Sequence, residues 1–261
     1  MNILITGASG SIGQQLQRRL HSNLYCPSHA ELDLTQYYDV KWYFERYPEI
    51  ELVVHCAVAP PRRFSERRND EEYGQKINND ICMATNVLRF APRVIVVNTG
   101  VAEHIKGDVG WSAHVISSLC SNLMNVLELR AFGVYGPGED KDRFPSYCFR
   151  QILNDEPIII HQNRFMSYIY IGDLCDIIAH FATTATKYKQ LNVADPFPIT
   201  MVDVATECIQ VANKEVEIKV EGNGEDYIAG SIWKLLDEMP NWTPVSLKEG
   251  LKNLYETTYI L

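Results

Sequence analysis

Short apolar runs alternate with amphipathic segments over the first half of the chain. The apolar runs have the length of buried strands, and the segments between them repeat apolar positions at helical spacing. Strands are predicted at residues 3–5, 23–26, 52–55, 94–97 and 126–130, with helices at 12–20, 38–44, 77–88 and 111–124. This alternation indicates an α/β fold with a doubly wound parallel sheet, which binds ligands at the carboxyl ends of its strands.

The second half of the chain continues the alternation with shorter strands. Helices are predicted at 144–153, 174–181, 201–211 and 247–255, and strands at 157–160, 168–171, 191–193 and 216–220. No low-complexity linker separates the halves, so the second is expected to form a smaller α/β lobe packed against the first. The predicted domains are 1–141 and 142–261, with parts of 166–196 folding back onto the first domain.

Three glycines spaced three apart follow the first predicted strand. Gly7, Gly10 and Gly13 stand between the apolar run 3–5 and the first amphipathic segment. Glycine lets the backbone turn sharply and come close to a ligand, and a helix N-terminus offers N–H groups to a phosphate. This placement favours a dinucleotide site in a Rossmann domain over an ordinary strand–helix turn. The predicted cofactor-binding residues of the turn are Gly7, Ser9, Gly10, Ser11, Ile12 and Gly13.

Composition argues against several classes of protein. The chain has 261 residues, of which 46% are hydrophobic and 22% charged, as in globular proteins. Its net charge of −9 argues against non-specific binding to nucleic acid, which needs a basic surface. No apolar run reaches the length of a membrane span, and we expect no signal peptide because a strand opens the sequence. Neither a nucleic-acid nor a membrane partner is therefore expected.

The seven cysteines are scattered along the chain and form no Cys-x-x-Cys pair. This pattern is typical of reduced thiols in a cytoplasmic protein, and not of a disulfide framework or a zinc site. We therefore expect a cytoplasmic protein that holds no metal.

Further landmarks recur along nearly the whole chain. They are residues 54–57, Asn78, the sequence Arg130-Ala-Phe-Gly-Val-Tyr-Gly-Pro137, and Trp242-Thr-Pro244 near the C-terminus. Together with the glycine turn they resemble the extended short-chain dehydrogenase/reductase family, which contains nucleotide-sugar epimerases, dehydratases and reductases. Segment 30–35 most resembles the reductases that form deoxysugars such as rhamnose and fucose. The resemblance implies an NAD(P)-dependent enzyme whose partner is a small nucleotide sugar.

The resemblance also implies where the cofactor would lie. The residues that correspond to its contacts beyond the glycine turn are Ser28, Asp33, Leu34, Cys56, Ala57 and Asn78. The second strand ends in Cys26-Pro-Ser-His29, which has neither a carboxylate for the ribose of NAD nor an arginine for the extra phosphate of NADP. Either NADP or NAD fits this end, and Ser28 with His29 favours NADP slightly.

The family's catalytic groups, as the resemblance implies, are a Ser or Thr and a Tyr followed four residues later by a Lys. Residues four apart share a helix face, so the ammonium lowers the pKa of the tyrosine, which exchanges a proton while hydride moves. Thr99 fits the first position, but His114 and Ser118 occupy the other two. Histidine can still donate a proton near neutral pH. An exposed helix residue at His114 and a hydrogen-bonded strand end at Thr99 are the competing interpretations.

The literal match to the Tyr-x-x-x-Lys spacing, Tyr37 with Lys41, lies in an upstream helix and is treated as coincidence. Arginines are the candidates for binding substrate phosphates, because guanidinium groups pair with them. Arg62 and Arg63 belong to a loop after the third strand, for which a solvated loop is the competing interpretation. Many family members have a phosphate-binding arginine where this chain has a methionine, and the expected substitutes are Arg143 and Arg164.

Two functions follow from these patterns. One is an NAD(P)-dependent nucleotide-sugar enzyme of the 4-keto reductase, epimerase or dehydratase type with an atypical active site. The other is a non-catalytic binding or regulatory protein of the same fold, which the altered residues at 114 and 118 favour. The resemblance also raises a homodimer formed through helices of the first domain.

Overall fold

The computed structural model describes residues 1–59, 70–103 and 107–260. They form two compact units: unit 1 contains Met1–Ala131 and Cys175–Asn192, and unit 2 contains Phe132–Leu174 and the chain from Val193 onward. The division falls after residue 131 and not after 141, because the intervening segment bonds within unit 2. The Phe132 N–H donates to the Val193 oxygen at 3.1 Å, for example. The part of the second half that joins unit 1 lies inside the expected range 166–196.

The alternation of strands and helices is confirmed. The strands are β1 (Asn2–Thr6), β2 (Asn23–Tyr25), β3 (Leu52–His55), β4 (Val94–Thr99), β5 (Val126–Ala131), β6 (Val134–Tyr135), β7 (Ile158–Ile160), β8 (Phe165–Met166), β9 (Ile169–Tyr170), β10 (Gln190–Val193), β11 (Ile199–Thr200) and β12 (Ile218–Val220). The helices are α1 (Ser11–Arg19), α2 (Tyr37–Arg46), α3 (Asp70–Phe90), α4 (Gly107–Ser121), α5 (Phe144–Leu153), α6 (Ile171–Thr183), α7 (Met201–Ala212), α8 (Trp233–Glu238) and α9 (Leu247–Tyr255). A 3₁₀ turn covers Gly100–Glu103, and a π-helical turn covers Glu256–Ile260.

Unit 1 is built on a six-stranded sheet of order β10-β5-β4-β3-β1-β2, in which the strands from β2 to β5 pair in parallel. Leu4, Val53 and Ile95 have no exposed surface, as expected for parallel strands covered on both faces. The chain places β2 on one side of β1 and β3 on the other. This switch in strand order opens a crevice at the carboxyl ends, where α/β sheets bind ligands.

Helix α4 approaches the sheet through small residues. Ala113 and Ser117 are buried, whereas Ile116 and Leu119 of the predicted apolar face are only partly buried against the core that contains Val87. Small side chains on the inner face let a helix backbone come close to the strands, and α4 contacts both β4 and β5. The helix can therefore exchange hydrogen bonds with polar side chains of those strands.

Helix α2 departs from its predicted apolar surface. Tyr38 and Trp42 are 61% and 59% exposed, and their ring centroids lie 5.7 Å apart. Val40 is the buried residue of this helix, and Phe44 is partly buried against the same core as Val40. Helical periodicity brings only one face inward, and here the aromatic residues at 38 and 42 stand on the outer face.

Unit 2 consists of short strand pairs around its own core. Strand β8 pairs antiparallel with β11, while β7 pairs with β12 and β6 with β9 in parallel. Phe149 of α5, Ile158 of β7 and Leu251 of α9 are fully buried in this core. Gly250 packs so closely against the Tyr135 ring that an added Cβ would collide with it.

Candidate functional site

The turn between β1 and α1 presents main-chain N–H groups at the carboxyl end of the sheet. Gly7 has a φ of +69°, and the Gly10 N–H donates to the Gly7 oxygen at 2.9 Å. The N-cap of α1 is Gly10, which has no side chain that could form a capping hydrogen bond. The first N–H groups of a helix have no partner within the helix, so they are available to a phosphate at the positive end of the helix dipole.

Close packing within the turn requires two of the three glycines. A Cβ on Gly7 would lie 2.8 Å from the Ala57 nitrogen, and one on Gly13 would lie 2.5 Å from the Gly7 oxygen. Gly7 therefore lets the turn lie against the segment after β3, and Gly13 lets α1 lie against the turn. A close approach of Gly10 to a ligand stays a prediction.

Two glutamines hold the carbonyl groups of the turn, and the sequence analysis missed both. The Gln14 amide donates to the Ser9 oxygen at 2.9 Å. The Gln17 amide donates to the Ala8 oxygen at 2.9 Å and to the Gly13 oxygen at 3.2 Å. The available signal was the presence of three amide side chains in the first turns of the helix after the third glycine, at positions 14, 15 and 17.

A cavity of about 1160 Å³ opens beside this turn. It is at least as large as the ligand clefts of about 300–1,000 Å³ that proteins usually present. The predicted cofactor-binding residues that line it are Gly7, Ser9, Ser28, Asp33, Leu34, Ala57 and Asn78. Among the described residues, the lining does not include Gly10, Ser11, Ile12, Gly13 or Cys56.

Helix α3 contributes a whole face to the cavity. The lining residues besides Asn78 are Gln75, Asn79, Cys82 and Met83. These positions follow the spacing of one helix face, so the placement of Asn78 already implied them. The sequence analysis named only Asn78.

Carboxylates gather beside the end of β2. Both the main-chain N–H and the hydroxyl of Ser28 donate to Glu31 Oε2 at 2.8 Å, and these bonds lower the pKa of the Glu31 carboxyl. Asp33 Oδ1 accepts from the Thr35 N–H at 2.9 Å and lies 3.9 Å from His29 Nδ1. The end of β2 itself has no carboxylate, but the fold brings the Glu31 carboxylate to Ser28 beside this strand end. This contact was not predicted from the sequence.

The three candidate catalytic residues lie on β4 and α4. The Thr99 hydroxyl accepts from the Val101 N–H at 3.4 Å. His114 is exposed, and its Nδ1 lies 3.4 Å from the Ala102 oxygen. Ser118 is exposed on the same face of α4, one turn after His114. Among the described residues that line the cavity, none of the three appears.

A buried polar cluster lies between α4 and the sheet. Glu128 has no exposed surface, and its carboxylate accepts from Asn98 at 2.6 Å, Ser117 at 2.8 Å and Gln190 at 2.5 Å. Arg130 Nε lies 3.5 Å from the same carboxylate. A buried charge needs such partners, because desolvation penalises it otherwise. The sequence signal was a glutamate within an otherwise apolar strand, and the sequence analysis missed it.

The candidate substrate-binding arginines fall in two groups. Arg143 is exposed at the N-cap of α5, and Arg164 is partly buried immediately before β8. The Nε of Arg164 is a buried atom that finds no hydrogen-bond partner among the described residues. Met166, which stands where many family members have an arginine, lies in β8. Arg62 and Arg63 lie outside the described residues.

The remaining side chains add no metal site. Within residues 1–59, 70–103 and 107–260, no three His, Cys, Asp or Glu side chains are grouped as metal ligands. All seven cysteines are free. In the same ranges, no helix is both long enough and apolar enough to span a bilayer.

Comparison with known proteins places this geometry in context. Residues 113–194 match the model of the NAD dependent epimerase/dehydratase family. No curated protein matches the chain in sequence. Among solved structures, GDP-mannoheptose C4 reductase from Campylobacter jejuni with NADP bound has a TM-score of 0.80 at 17% identity, over 98% of this chain and 97% of that one.

Two other solved structures carry different activities on the same fold. The dTDP-glucose 4,6-dehydratase from Bacillus anthracis in complex with NAD has a TM-score of 0.80 at 13% identity, over 98% of this chain and 96% of that one. The UDP-glucose 4-epimerase from Thermus thermophilus in complex with NAD has a TM-score of 0.76 at 17% identity, over 98% of both chains. At such identities the likeness establishes the fold, and function has to be argued from the site.

The family match begins within α4 and continues through β5 and α6, so it includes His114, Ser118 and Arg130. The matches confirm the resemblance and the fold class predicted from the sequence. This chain therefore has the fold of the reductase, dehydratase and epimerase structures named above, and its residues 113–194 match the model of the NAD dependent epimerase/dehydratase family.

Proposed function

We propose that this chain is an NAD(P)-dependent enzyme that modifies a nucleotide-activated sugar, as a 4-keto reductase, an epimerase or a dehydratase. The observation that carries the proposal is the cavity of about 1160 Å³, which extends from the glycine turn to the segment after β2. A dinucleotide needs a phosphate site and an adenosine site in one cleft. The reductase, dehydratase and epimerase named above act on nucleotide sugars with this fold, which supports the same substrate class here.

In this proposal the main chain from Gly7 to Gly13 binds the pyrophosphate. Ser28, Asp33 and Leu34 contact the adenosine, and Cys56, Ala57 and Asn78 lie along the rest of the cofactor. The carboxylates of Glu31 and Asp33 oppose the extra phosphate of NADP, whereas the nearby His29 attracts it when protonated. Measuring both affinities decides between the two cofactors.

The nicotinamide, when bound, supplies or accepts the hydride. The Thr99 hydroxyl would hydrogen-bond the reacting sugar oxygen, and the His114 imidazole would hold the proton that this oxygen gains or loses. An imidazole titrates near neutral pH without help from an ammonium group. Ser118 carries no charge, so it contributes at most a hydrogen bond.

Unit 2 would bind the nucleotide diphosphate of the substrate. Arg164 supports this role, because its buried Nε finds no hydrogen-bond partner among the described residues. Arg143 offers a second guanidinium at the start of α5. The phosphate-binding role of Arg62 and Arg63 stays a prediction from the sequence.

A specific observation favours the second candidate function, a non-catalytic binding or regulatory protein. Ser118 replaces the lysine, and His114 stands exposed on α4.

We also propose a cytoplasmic location, which fits seven free cysteines, and a homodimer through helices of unit 1. Sedimentation of the purified chain over a concentration series tests the dimer.

Calorimetry with NAD, NADP and their reduced forms tests the cofactor site first. We expect Gly10→Val to abolish binding, while Gly222→Val in unit 2, where a Cβ stays 3.5 Å from its nearest neighbour, leaves binding unchanged. Absence of heat with every form would overturn the proposal.

Turnover of 4-keto nucleotide sugars, followed by the absorbance of the reduced cofactor, tests the chemistry. We expect His114→Ala to lose turnover and keep its cofactor affinity. Tight cofactor binding with no turnover across a panel of sugars would establish the second candidate function instead.

A further inference from the structure

We propose that Asn98 is a positioning residue that holds Thr99 and His114 in a fixed relation, and that the buried Glu128 determines which way round the Asn98 amide lies. The inference rests on the catalytic roles proposed for Thr99 and His114. It gives a positioning role to the buried polar cluster around Glu128, whose members are not among the predicted site residues.

Asn98 connects the end of β4 to both neighbouring elements. Its Nδ2 donates to Glu128 Oε1 at 2.6 Å and to the Ala113 oxygen at 2.9 Å. Its Oδ1 accepts from the Thr99 N–H at 2.9 Å. One amide therefore fixes the main chain of Thr99 and the main chain immediately before His114.

The carboxylate of Glu128 sets the orientation of this amide. The two ends of an asparagine amide have nearly the same shape, so packing alone does not distinguish them. A carboxylate only accepts hydrogen bonds, and Ser117, Gln190 and Arg130 hold it in place. The amino group of Asn98 has to face Glu128, which leaves the oxygen for the Thr99 N–H.

The same cluster also fixes the 3₁₀ turn that lies against His114. Arg130 extends from Glu128 to Glu103, whose Oε1 accepts from Arg130 Nη1 at 3.1 Å and from Asn192 at 3.0 Å. Glu103 ends the turn Gly100–Glu103, and the Ala102 oxygen of this turn lies 3.4 Å from His114 Nδ1. The main chain before His114 and the 3₁₀ turn beside its Nδ1 are thereby both connected to the buried cluster.

Fixed geometry matters here because the uncharged Ser118 stands where the family has the ammonium group that assists the proton transfer. A general acid has to lie within hydrogen-bond reach of its partner, and a misplacement of about 1 Å can cost about 100-fold in rate. The buried cluster around Glu128 holds Thr99 and His114 in a fixed relation. All residues of this cluster belong to unit 1.

The test exchanges donor and acceptor between positions 98 and 128. Asn98→Asp places a second carboxylate against that of Glu128, and we expect kcat to fall about 30-fold with the KM for the cofactor changed less than about twofold. Adding Glu128→Gln restores a donor opposite the new carboxylate. We expect the double variant to recover about tenfold in kcat over Asn98→Asp alone. A purely structural role would not produce this recovery in kcat without a change in KM.

Asn125→Asp is the matched control. Asn125 donates to the Ala91 and Pro92 oxygens at 3.2 and 3.1 Å, in unit 1 and away from the cluster. We expect its kcat to stay within about twofold of the original chain. An unchanged kcat in Asn98→Asp, or no recovery in the double variant, overturns the proposal.

A second measurement needs no turnover. In Asn98→Ala the Thr99 N–H loses its acceptor, and we expect its hydrogen exchange to accelerate at least about tenfold, whereas Asn125→Ala leaves it unchanged. Unchanged exchange at Thr99 overturns the positioning role. Accelerated exchange in a chain that turns over no sugar keeps the positioning role and removes the proposed enzymatic function, so the two failures are distinguishable.

Discussion

The glycine turn and helix α4 belong to the same unit, but the proposed function of the turn depends on main-chain groups and that of α4 depends on side chains. The turn offers main-chain N–H groups, and the absence of side chains at Gly7 and Gly13 lets its backbone pack closely. Helix α4 offers side chains, and the two that matter by resemblance are His114 and Ser118. A phosphate site made of backbone depends on glycines and a helix end. A proton-transfer site depends on the identity of single side chains, so substitution can alter it without disturbing the fold.

Cofactor binding at the turn should therefore be sensitive to added side-chain volume. Turnover at α4 should instead be sensitive to a change in the chemical nature of a side chain. Substitutions in the two regions separate binding from catalysis, because the first should change cofactor affinity and the second should change turnover.

Besides the loss of binding expected for Gly10→Val, the largest effect is expected from Gly13→Val. A Cβ there would lie 2.5 Å from the Gly7 oxygen and 2.6 Å from the Ala8 Cα, so α1 has to move away from the turn. We expect cofactor affinity to fall at least about 100-fold, which is about 3 kcal/mol. Gly74→Val is the control, since a Cβ there meets nothing within 4 Å. Isothermal titration measures both, and an unchanged affinity in Gly13→Val would contradict the phosphate role of the turn.

The buried support of the turn should weaken in acid. His55 Nδ1 lies 2.8 Å from Thr6 Oγ1, and burial lowers the pKa of His55 to about 4. The unfolded chain, with a histidine pKa near 6.5, then binds more protons between pH 6.5 and 4. The titration of His55 alone should therefore decrease the free energy of unfolding by up to about 3 kcal/mol as the pH falls through this window. Burial raises the pKa of Glu139 to about 7, so this carboxyl group contributes a change of opposite sign over much of the same range.

Urea unfolding over this pH range measures the dependence on His55. We expect the free energy of unfolding of His55→Asn, relative to that of the original chain, to rise as the pH falls through this window, because the contribution of His55 is removed. The exposed His161→Gln should keep the pH dependence of the original chain. If His55→Asn has the same pH dependence as the original chain, the burial of His55 is not responsible.

The chemistry of α4 can be altered without touching the turn. His114→Tyr combined with Ser118→Lys places the family's pair on the exposed face of the helix, where substitutions should change stability by less than about 0.5 kcal/mol. We expect turnover of a 4-keto nucleotide sugar to rise about tenfold, because the ammonium lowers the pKa of the new phenol. His114→Tyr with Ser121→Lys is the control, since its ammonium lies one turn further along. Equal rates in the two double variants would show that the pair is not what limits turnover.

The smallest effect is expected from Gln17→Leu. The variant leaves the Ala8 and Gly13 oxygens without the Gln17 amide and loosens the turn. We expect cofactor affinity to fall about fivefold, which corresponds to about 1 kcal/mol for the lost hydrogen bonds. Gln15→Leu on the same helix is the control, because its side chain pairs with Arg19 instead. An effect as large in Gln15→Leu would point to the stability of α1 and not to the turn.

Most of the central sheet follows from the sequence. The apolar runs that became β1, β3, β4 and β5 are continuous, and such runs are typical of buried parallel strands. The two-residue strands of unit 2 were mostly not predicted, because a pair such as β6 with β9 exists only through its partner. The exposed face of α2 was also misjudged, since periodicity alone does not tell which aromatic residues face inward.

The candidate site likewise has features that could be predicted from the sequence and features that could not. Local spacing is enough to identify the glycine turn, because its function depends on consecutive backbone geometry. The approach of Glu31 to Ser28 depended on how the loop after β2 folds back. The cluster around Glu128 joins residues from β4, α4, β5 and β10, which lie up to 92 positions apart in the chain (98 to 190).

The sequence by itself determined the doubly wound sheet and the glycine turn, and it predicts phosphate binding at the turn and the substitution of the Tyr–Lys pair, because each depends on neighbouring residues or on a fixed helical spacing. Only the tertiary structure decided that α3 supplies a face of the cavity and that a buried carboxylate orients Asn98. Those relations depend on which strands lie side by side, and hydrogen bonds between distant residues form only after the chain has brought them together.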